Sequence, residues 1–170
     1  MLLLRVRDRA DTRDVRRLVL VLLTVVLLSG CAPRGRQVHT PSGPPPGSGA
    51  AAAALARSLV GAPYRNGGAD PAGFDCSGFV QYVFGGLGFA VPRGVREQAS
   101  TGERVNRDRV REGDLVFFAI DGRTISHVGI AVSANSFVHA PSSRGRVREE
   151  SLNVAYWRER FAEARRVARR

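Results

Sequence analysis

A break in composition at Gly49 decides how much of this chain can build a core. From Ala32 to Gly49 the sequence is Pro, Gly, Ser and polar residues, including Pro44-Pro45-Pro46, with almost nothing to bury. Such a stretch cannot recover the entropy of ordering and reads as a tether, with a reach of about 25 Å as a coil and about 55 Å as polyproline II. His39 falls inside it and is read as bystander composition. From Ala50 to Arg170 roughly 120 residues remain, enough for one domain of ordinary size.

Ahead of the tether, Arg16-Arg17 lead into Leu18 to Leu28, apolar except at Thr24, and then into Leu28-Ser29-Gly30-Cys31. A helix needs about 20 residues to cross a bilayer; this shorter run matches the h-region of a secretory signal. The Leu-Ser-Gly-Cys ending looks like a bacterial lipobox. The expected organisation is a signal peptide over 1–30, a lipidated Cys31 with its tether over 31–49, and a catalytic domain over 50–170. A plain signal peptide cleaved elsewhere and a buried helix are the other readings of the run. Three Asp between Met1 and Asp14 do not suit a cationic n-region, so translation is expected to begin further in, near Val15. Lipidation would consume Cys31, leaving Cys76 unable to pair with it, and a free thiol in an exported protein needs a chemical reason.

The net charge is +11, carried by 26 Arg and no Lys, a usage that reads as genome composition. Removing residues 1–30 lowers the charge to +8, which still favours a polyanionic neighbour such as cell wall or lipid headgroups. The arginines are scattered and do not alternate with aromatics, so no nucleic-acid partner is expected.

Within the folding part, Ala50 to Val60 reads as a helix stopped by Gly61, and a glycine- and proline-rich loop then delivers the chain to Cys76. Phe79, Val80, Val83 and Phe84 recur at helical spacing, ended by Gly85-Gly86, and a short helix is expected over Val95 to Ser100. Leu115 to Ile120, Thr124 to Val132, Ser136 to Ala140 and Val147 to Glu150 read as strands, with Asp121-Gly122 as a hairpin turn. Trp157, Phe161, Ala164 and Ala168 form a stripe that predicts a closing helix over Tyr156 to Val167, with Arg158 to Arg170 on its outer face. Helices, then a strand meander, then a helix make an α+β domain.

Cys76 stands where loop becomes helix. Unpaired N–H groups at a helix start favour negative charge, so the thiol is expected to ionise below its reference pKa of about 8.5. Asp75 is placed to cap that helix, and Ser77 and Gly78 allow close backbone approach. His127 and His139 lie on strand-like segments that could be antiparallel neighbours about 4.8 Å apart, close enough for one imidazole to bond the other. Cys, His and a polar orienter are the parts of a thiol hydrolase. The competing readings are a buried structural cysteine, a satisfied core histidine, and a metal site. The last lacks the short-spaced ligand pairs such sites use. Asp114 and Asp121, each beside Gly, read as turn residues.

Five segments in order resemble the NlpC/P60 family of cell-wall cysteine peptidases. They are Gly61-Ala62-Pro63-Tyr64 to Gly67-Gly68, Asp75-Cys76-Ser77-Gly78-Phe79-Val80, Gly113-Asp114-Leu115-Val116-Phe117-Phe118, His127-Val128-Gly129-Ile130 and Phe137-Val138-His139-Ala140. The resemblance implies a papain-like fold with the nucleophile at a helix N-terminus packed on an antiparallel sheet. It implies Cys76 as nucleophile, His127 as general base and acid, and His139 as the residue orienting His127. Tyr64, Asp75 and Ser77 would contact substrate, and no cofactor or metal is implied. With the lipobox, the Pro92-Arg93 and Glu97-Gln98 segment, and the stretch from Tyr156-Trp157-Arg158 to Val167, the chain looks most like the lipoprotein endopeptidases of Gram-negative envelopes. That implies hydrolysis of peptidoglycan at the D-alanyl to meso-diaminopimelyl cross-link by a monomer anchored through Cys31. Ala32 after the lipobox cysteine favours the outer membrane, facing the periplasm. Cleavage of the γ-D-glutamyl to diaminopimelate bond, an inactive scaffold of the same shape, and an amidase or acyltransferase acting on another envelope bond are the alternatives.

Overall fold

The structure, a computed structural model, describes residues 43–168. The signal segment, Cys31, the tether up to residue 42, Arg169 and Arg170 lie outside the described residues. In chain order come α1 (Gly49–Ser58), β1 (Ala69–Asp70), β2 (Gly73–Phe74), α2 (Cys76–Gly86), α3 (Val95–Ala99), β3 (Glu103–Val105), β4 (Asp114–Phe118), β5 (His127–Ala131), β6 (Ser136–His139), β7 (Arg148–Ser151), α4 (Ala155–Arg160) and β8 (Phe161–Arg166). Strands β1 and β2 form a small hairpin, and the other six make one antiparallel sheet in the order β3-β8-β4-β5-β6-β7. The α+β class and the helix, meander and Cys76 placement expected from the sequence are those of the structure.

Every residue of β4 and β5 is buried, so the sheet is covered on both faces. On one face Leu115, Phe117, Val128 and Ile130 pack with Phe79, Val80, Val83 and Phe84 of α2 and with Ala52, Ala53 and Ala56 of α1. The small α1 side chains let that helix sit close, and Ser48 starts it by accepting the Ala51 N–H at 3.1 Å. On the other face Val116, Phe118, Ala131 and Phe137 meet Trp157, Leu152 and Ala164. Each large apolar side chain taken fully out of water contributes about 1.5–3 kcal/mol. Two such faces therefore hold the central strands firmly.

The closing helix departs from expectation. It ends at Arg160, and Phe161–Arg166 is a strand inserted between β3 and β4. Ala, Glu and Arg favour helix, but pairing on both sides outweighs that weak preference. The stripe that looked helical has another cause. The β4–β8 register shifts between Phe117 and Phe118, pairing Val116 with Ala164 but Phe118 with Phe161. The extra residue, Ala162, is a bulge that brings Phe161 and Ala164, three apart, to one face. Arg158 and Arg160 lie on α4, but Arg165 and Arg166 consequently do not line a helix. Arg166 binds the buried carboxylate of Asp114 at 2.7 and 2.8 Å, and Arg165 reaches Glu163 at 2.9 Å.

The β5–β6 register pairs Ile130 with Val138, and its continuation sets His139 opposite Gly129, with His127 next along the same face. A Cβ on Gly129 would lie 2.6 Å from Phe137 Cδ2 and 3.1 Å from His139 Cβ. The bare backbone there is what lets the two strands bring their imidazoles together. Gly129→Ala should destabilise the fold by about 1–3 kcal/mol, read as a lower urea midpoint; an unchanged midpoint would mean that β6 yields to the extra methyl.

Candidate active site

Cys76 is the first residue of α2, and the nearby backbone N–H groups of Val128, Ser77 and Cys76 itself favour the charged form of its sulfur. Val128, the neighbour of His127, thus lies close to the sulfur. Asp75 caps the helix by accepting the Gly78 N–H at 2.7 Å and the Gly67 N–H at 3.1 Å. Gly78 is required here: a Cβ would sit 2.0 Å from the Gly68 carbonyl oxygen. Arg93 grips Asp75 with both terminal nitrogens, at 3.0 and 2.6 Å, and donates to Ser77 Oγ at 2.8 Å. Burial alone would raise the Asp75 pKa, but Arg93 and the two N–H donors prevail and hold it below the usual carboxylate range. Gln98, fully buried, donates to the carbonyls of Ser77 and Pro92 and so fixes the strap bearing Arg93.

Asp75 and Ser77, expected to touch substrate, are thus both engaged by Arg93, a residue the sequence suggested only as part of a resembling segment. Tyr64 stands within electrostatic reach of the site. Burial raises its pKa first, with the charges of Cys76 and Asp75 adding to the effect, so its hydroxyl is protonated at neutral pH.

His127 and His139 do meet. Nε2 of His127 lies 2.7 Å from Nδ1 of His139, with the rings nearly perpendicular. Trp157 stacks on His127 with ring centroids 5.7 Å apart, and Phe137 and Trp157 flank His139. His139 is fully buried. Burial lowers the pKa of both rings; for His127 the neighbouring His139 adds to this, while Glu150 opposes it.

The thiol behaves differently from the sequence expectation. Burial, reinforced by the adjacent Asp75 carboxylate, pushes the Cys76 pKa up, and the three N–H donors only partly offset this. The helix start supplies its donors, but it also supplies an anionic cap and a dry setting. These directions favour a neutral thiol and neutral imidazoles at neutral pH. Sulfur as nucleophile, His127 Nδ1 as the ring nitrogen left free, and His139 as support form a set able to carry acyl transfer.

The sequence reading missed one charged group beside the rings. Glu150 on β7 accepts a hydrogen bond from Trp157 Nε1 and pairs with Arg148 Nε at 2.7 Å. Its pKa is pulled down to about 2, by His139 first and then by Trp157 and Arg148 against the effect of burial. A strand carrying Arg-Glu-Glu opposite Phe137 and His139 was the available signal.

Residues 61–166 match the family model described as NlpC/P60 family. The chain is 48% identical over 111 residues to "Murein DD-endopeptidase MepS/Murein LD-carboxypeptidase" of Escherichia coli (strain K12), covering 65% of this chain and 58% of that protein. It is 36% identical over 161 residues to "Probable endopeptidase NlpC" of the same strain, covering 89% of this chain and 99% of that protein. Among solved structures, an NlpC/P60 family protein from Bacillus cereus ATCC 10987 superimposes with a TM-score of 0.69 at 30% identity, covering 74% of this chain and 42% of that one.

The pKa directions give a testable pH profile. In the full chain with Cys31→Ser, the rate of Cys76 alkylation by iodoacetamide should climb through the alkaline range, beyond the ordinary thiol value of about 8.5. A plateau already reached below pH 7 would show a resting thiolate–imidazolium pair instead.

Proposed function

Because the chain belongs to the NlpC/P60 family, we propose that it is a thiol peptidase of the bacterial cell wall that hydrolyses peptidoglycan at the D-alanyl to meso-diaminopimelyl cross-link. The observation that carries this reading is the line of groups from the Cys76 sulfur, through the strand bearing His127, to His139 at 2.7 Å. The endopeptidase names of the E. coli relatives support the same chemistry.

The mechanism follows from the neutral resting state. As the substrate carbonyl seats against the sulfur, the thiol proton passes to Nδ1 of His127 and the sulfur electron pair attacks the carbonyl carbon. The carbonyl oxygen becomes an oxyanion, met by N–H groups at the start of α2 and by the Tyr64 hydroxyl. Collapse breaks the C–N bond, and His127 returns its proton to the leaving amine. A water molecule then gives a proton to His127 and its oxygen to the thioester carbon, releasing the carboxylate and the thiol. His139 holds His127 in one orientation throughout. Asp75 and Ser77 act through Arg93, shaping the floor beside the sulfur where the stem peptide lies.

In the cell the domain stands off the outer membrane on its tether, held by a lipid on Cys31 and facing the periplasm. Such an anchor keeps a monomer at its substrate.

Mass spectrometry of cross-linked muropeptides incubated with the full chain, beside its Cys76→Ala variant, tests the reading. Dimers should become monomers with the native chain and persist with the variant, a loss of activity of at least about a thousandfold. Shortened stems without loss of cross-links would move the cleavage to the γ-D-glutamyl bond, and no change in any muropeptide would favour a scaffold.

A further inference from the structure

The two imidazoles leave one question of chemistry open within the chain itself: which nitrogens carry the protons. A neutral imidazole has one N–H and one bare nitrogen. If His139 holds its proton on Nε2, its Nδ1 is bare and accepts from Nε2–H of His127, and Nδ1 of His127 is then bare and able to take the thiol proton. If His139 holds its proton on Nδ1, that N–H donates to Nε2 of His127, the His127 proton moves to Nδ1, and no acceptor faces the nucleophile. Whether this site has a base is therefore decided at the far end of the pair.

The far end faces a carboxylate. Nε2 of His139 lies 3.9 Å from Oε1 of Glu150 and has no hydrogen-bond partner among the described residues, although the ring is fully buried. At that distance the carboxylate acts on the ring nitrogen as a charge on a dipole, too far for a hydrogen bond. Its sign is clear: an N–H pointed at the anion is attracted, whereas a bare lone pair is repelled. Glu150 is held in place from two other directions, by the Trp157 indole N–H of α4 and by Arg148 of β7. Its outer edge borders a solvent-open cavity of about 370 Å³ lined also by Arg144 and Tyr156, so the carboxylate keeps enough water contact to remain ionised.

We propose that Glu150 is a positioning residue of this site, whose carboxylate fixes the His139 proton on Nε2 and so leaves Nδ1 of His127 free as the base. This rests on the reading of His127 as base and adds to it a fourth member acting through His139. The charged and titratable groups around the pair are Glu150 and Arg148 on β7, Cys76 at the start of α2, and the rings themselves on β5 and β6. Arg148 works against protonation of His139, and Glu150 works for it.

The test starts with the native full chain carrying Cys31→Ser and labelled with 15N in its histidines. Long-range proton–nitrogen correlation at pH 8 should show both His127 and His139 protonated on Nε2. Glu150→Gln keeps an acceptor for Trp157 but removes the charge; it should yield mixed tautomers and move imidazole protonation to lower pH. On muropeptide dimers its kcat should fall about tenfold to a hundredfold, the size found when partners that orient a metal-bound imidazole are removed, with KM little changed. Glu150→Asp should restore part of that loss. A native spectrum with His139 protonated on Nδ1 overturns the proposal without need of any variant, as does a Glu150→Gln chain with unchanged tautomers and kcat. A native chain with the expected tautomers but no action on muropeptides would instead overturn the substrate reading alone.

Discussion

The 2.7 Å contact between His127 and His139 is the interaction on which the rest of the site depends, and it costs the fold a good deal to make. Two imidazoles must be taken out of water, one of them completely. They must then be held on neighbouring strands with a register that cannot slip, because a slip of one residue would turn His139 to the opposite face. The structure meets these demands with apolar packing on both faces of β4 and β5, a glycine opposite His139, and a Trp157 ring that closes over both imidazoles. The site is thus positioned by the core itself rather than by loops laid over it.

The same burial governs its electrostatics. A dry site disfavours charge on the thiol and on both rings, while the carboxylates around it are kept ionised by specific partners: Asp75 by Arg93 and two backbone donors, Glu150 by His139, Trp157 and Arg148. Fixed anions thus lie on opposite sides of a neutral Cys–His–His line. Asp75 opposes a resting thiolate, and Glu150 favours a proton on the imidazoles. The first effect defers separation of charge between sulfur and ring until a carbonyl arrives, and the second eases it, so that a preorganised site stabilises it without further reorganisation.

How much of this could be read from the sequence depends on whether a feature is local. The α2 start was legible because Asp75 as cap, Cys76, and the Phe79-Val80, Val83-Phe84 spacing lie within one short window. The β4, β5 and β6 strands were legible because their apolar runs are flanked by turns, and Asp121 does serve its own turn through Arg123 and Thr124. The two histidines could be paired on paper because strand spacing is fixed. The β8 strand was not legible. Its Ala-Glu-Ala-Arg-Arg composition favours helix locally, and the bulge at Ala162 gives Phe161 and Ala164 the separation a helix would give them. Glu150 was passed over for a related reason. On a terminal strand rich in charge it resembles any solvated residue, and only the β6–β7 register places it diagonal to His139.

The inserted strand also changes what the arginines near the chain end are for. Read on a helix they would form a free cationic face; on β8 two of them are consumed. Arg166 neutralises Asp114, whose side chain is 1% exposed, and also donates to the Arg109 carbonyl. Leaving a buried carboxylate unpaired costs about 3–5 kcal/mol, so this arginine belongs to the closure of the sheet before it belongs to any surface. Asp114 in turn accepts the Arg111 N–H at 2.9 Å and sets the turn that begins β4. β4 pairs directly with β5, where His127 stands. A charge that looked available for a polyanionic partner is instead one link in the packing that holds His127 in place, so only arginines without such a partner are free for one.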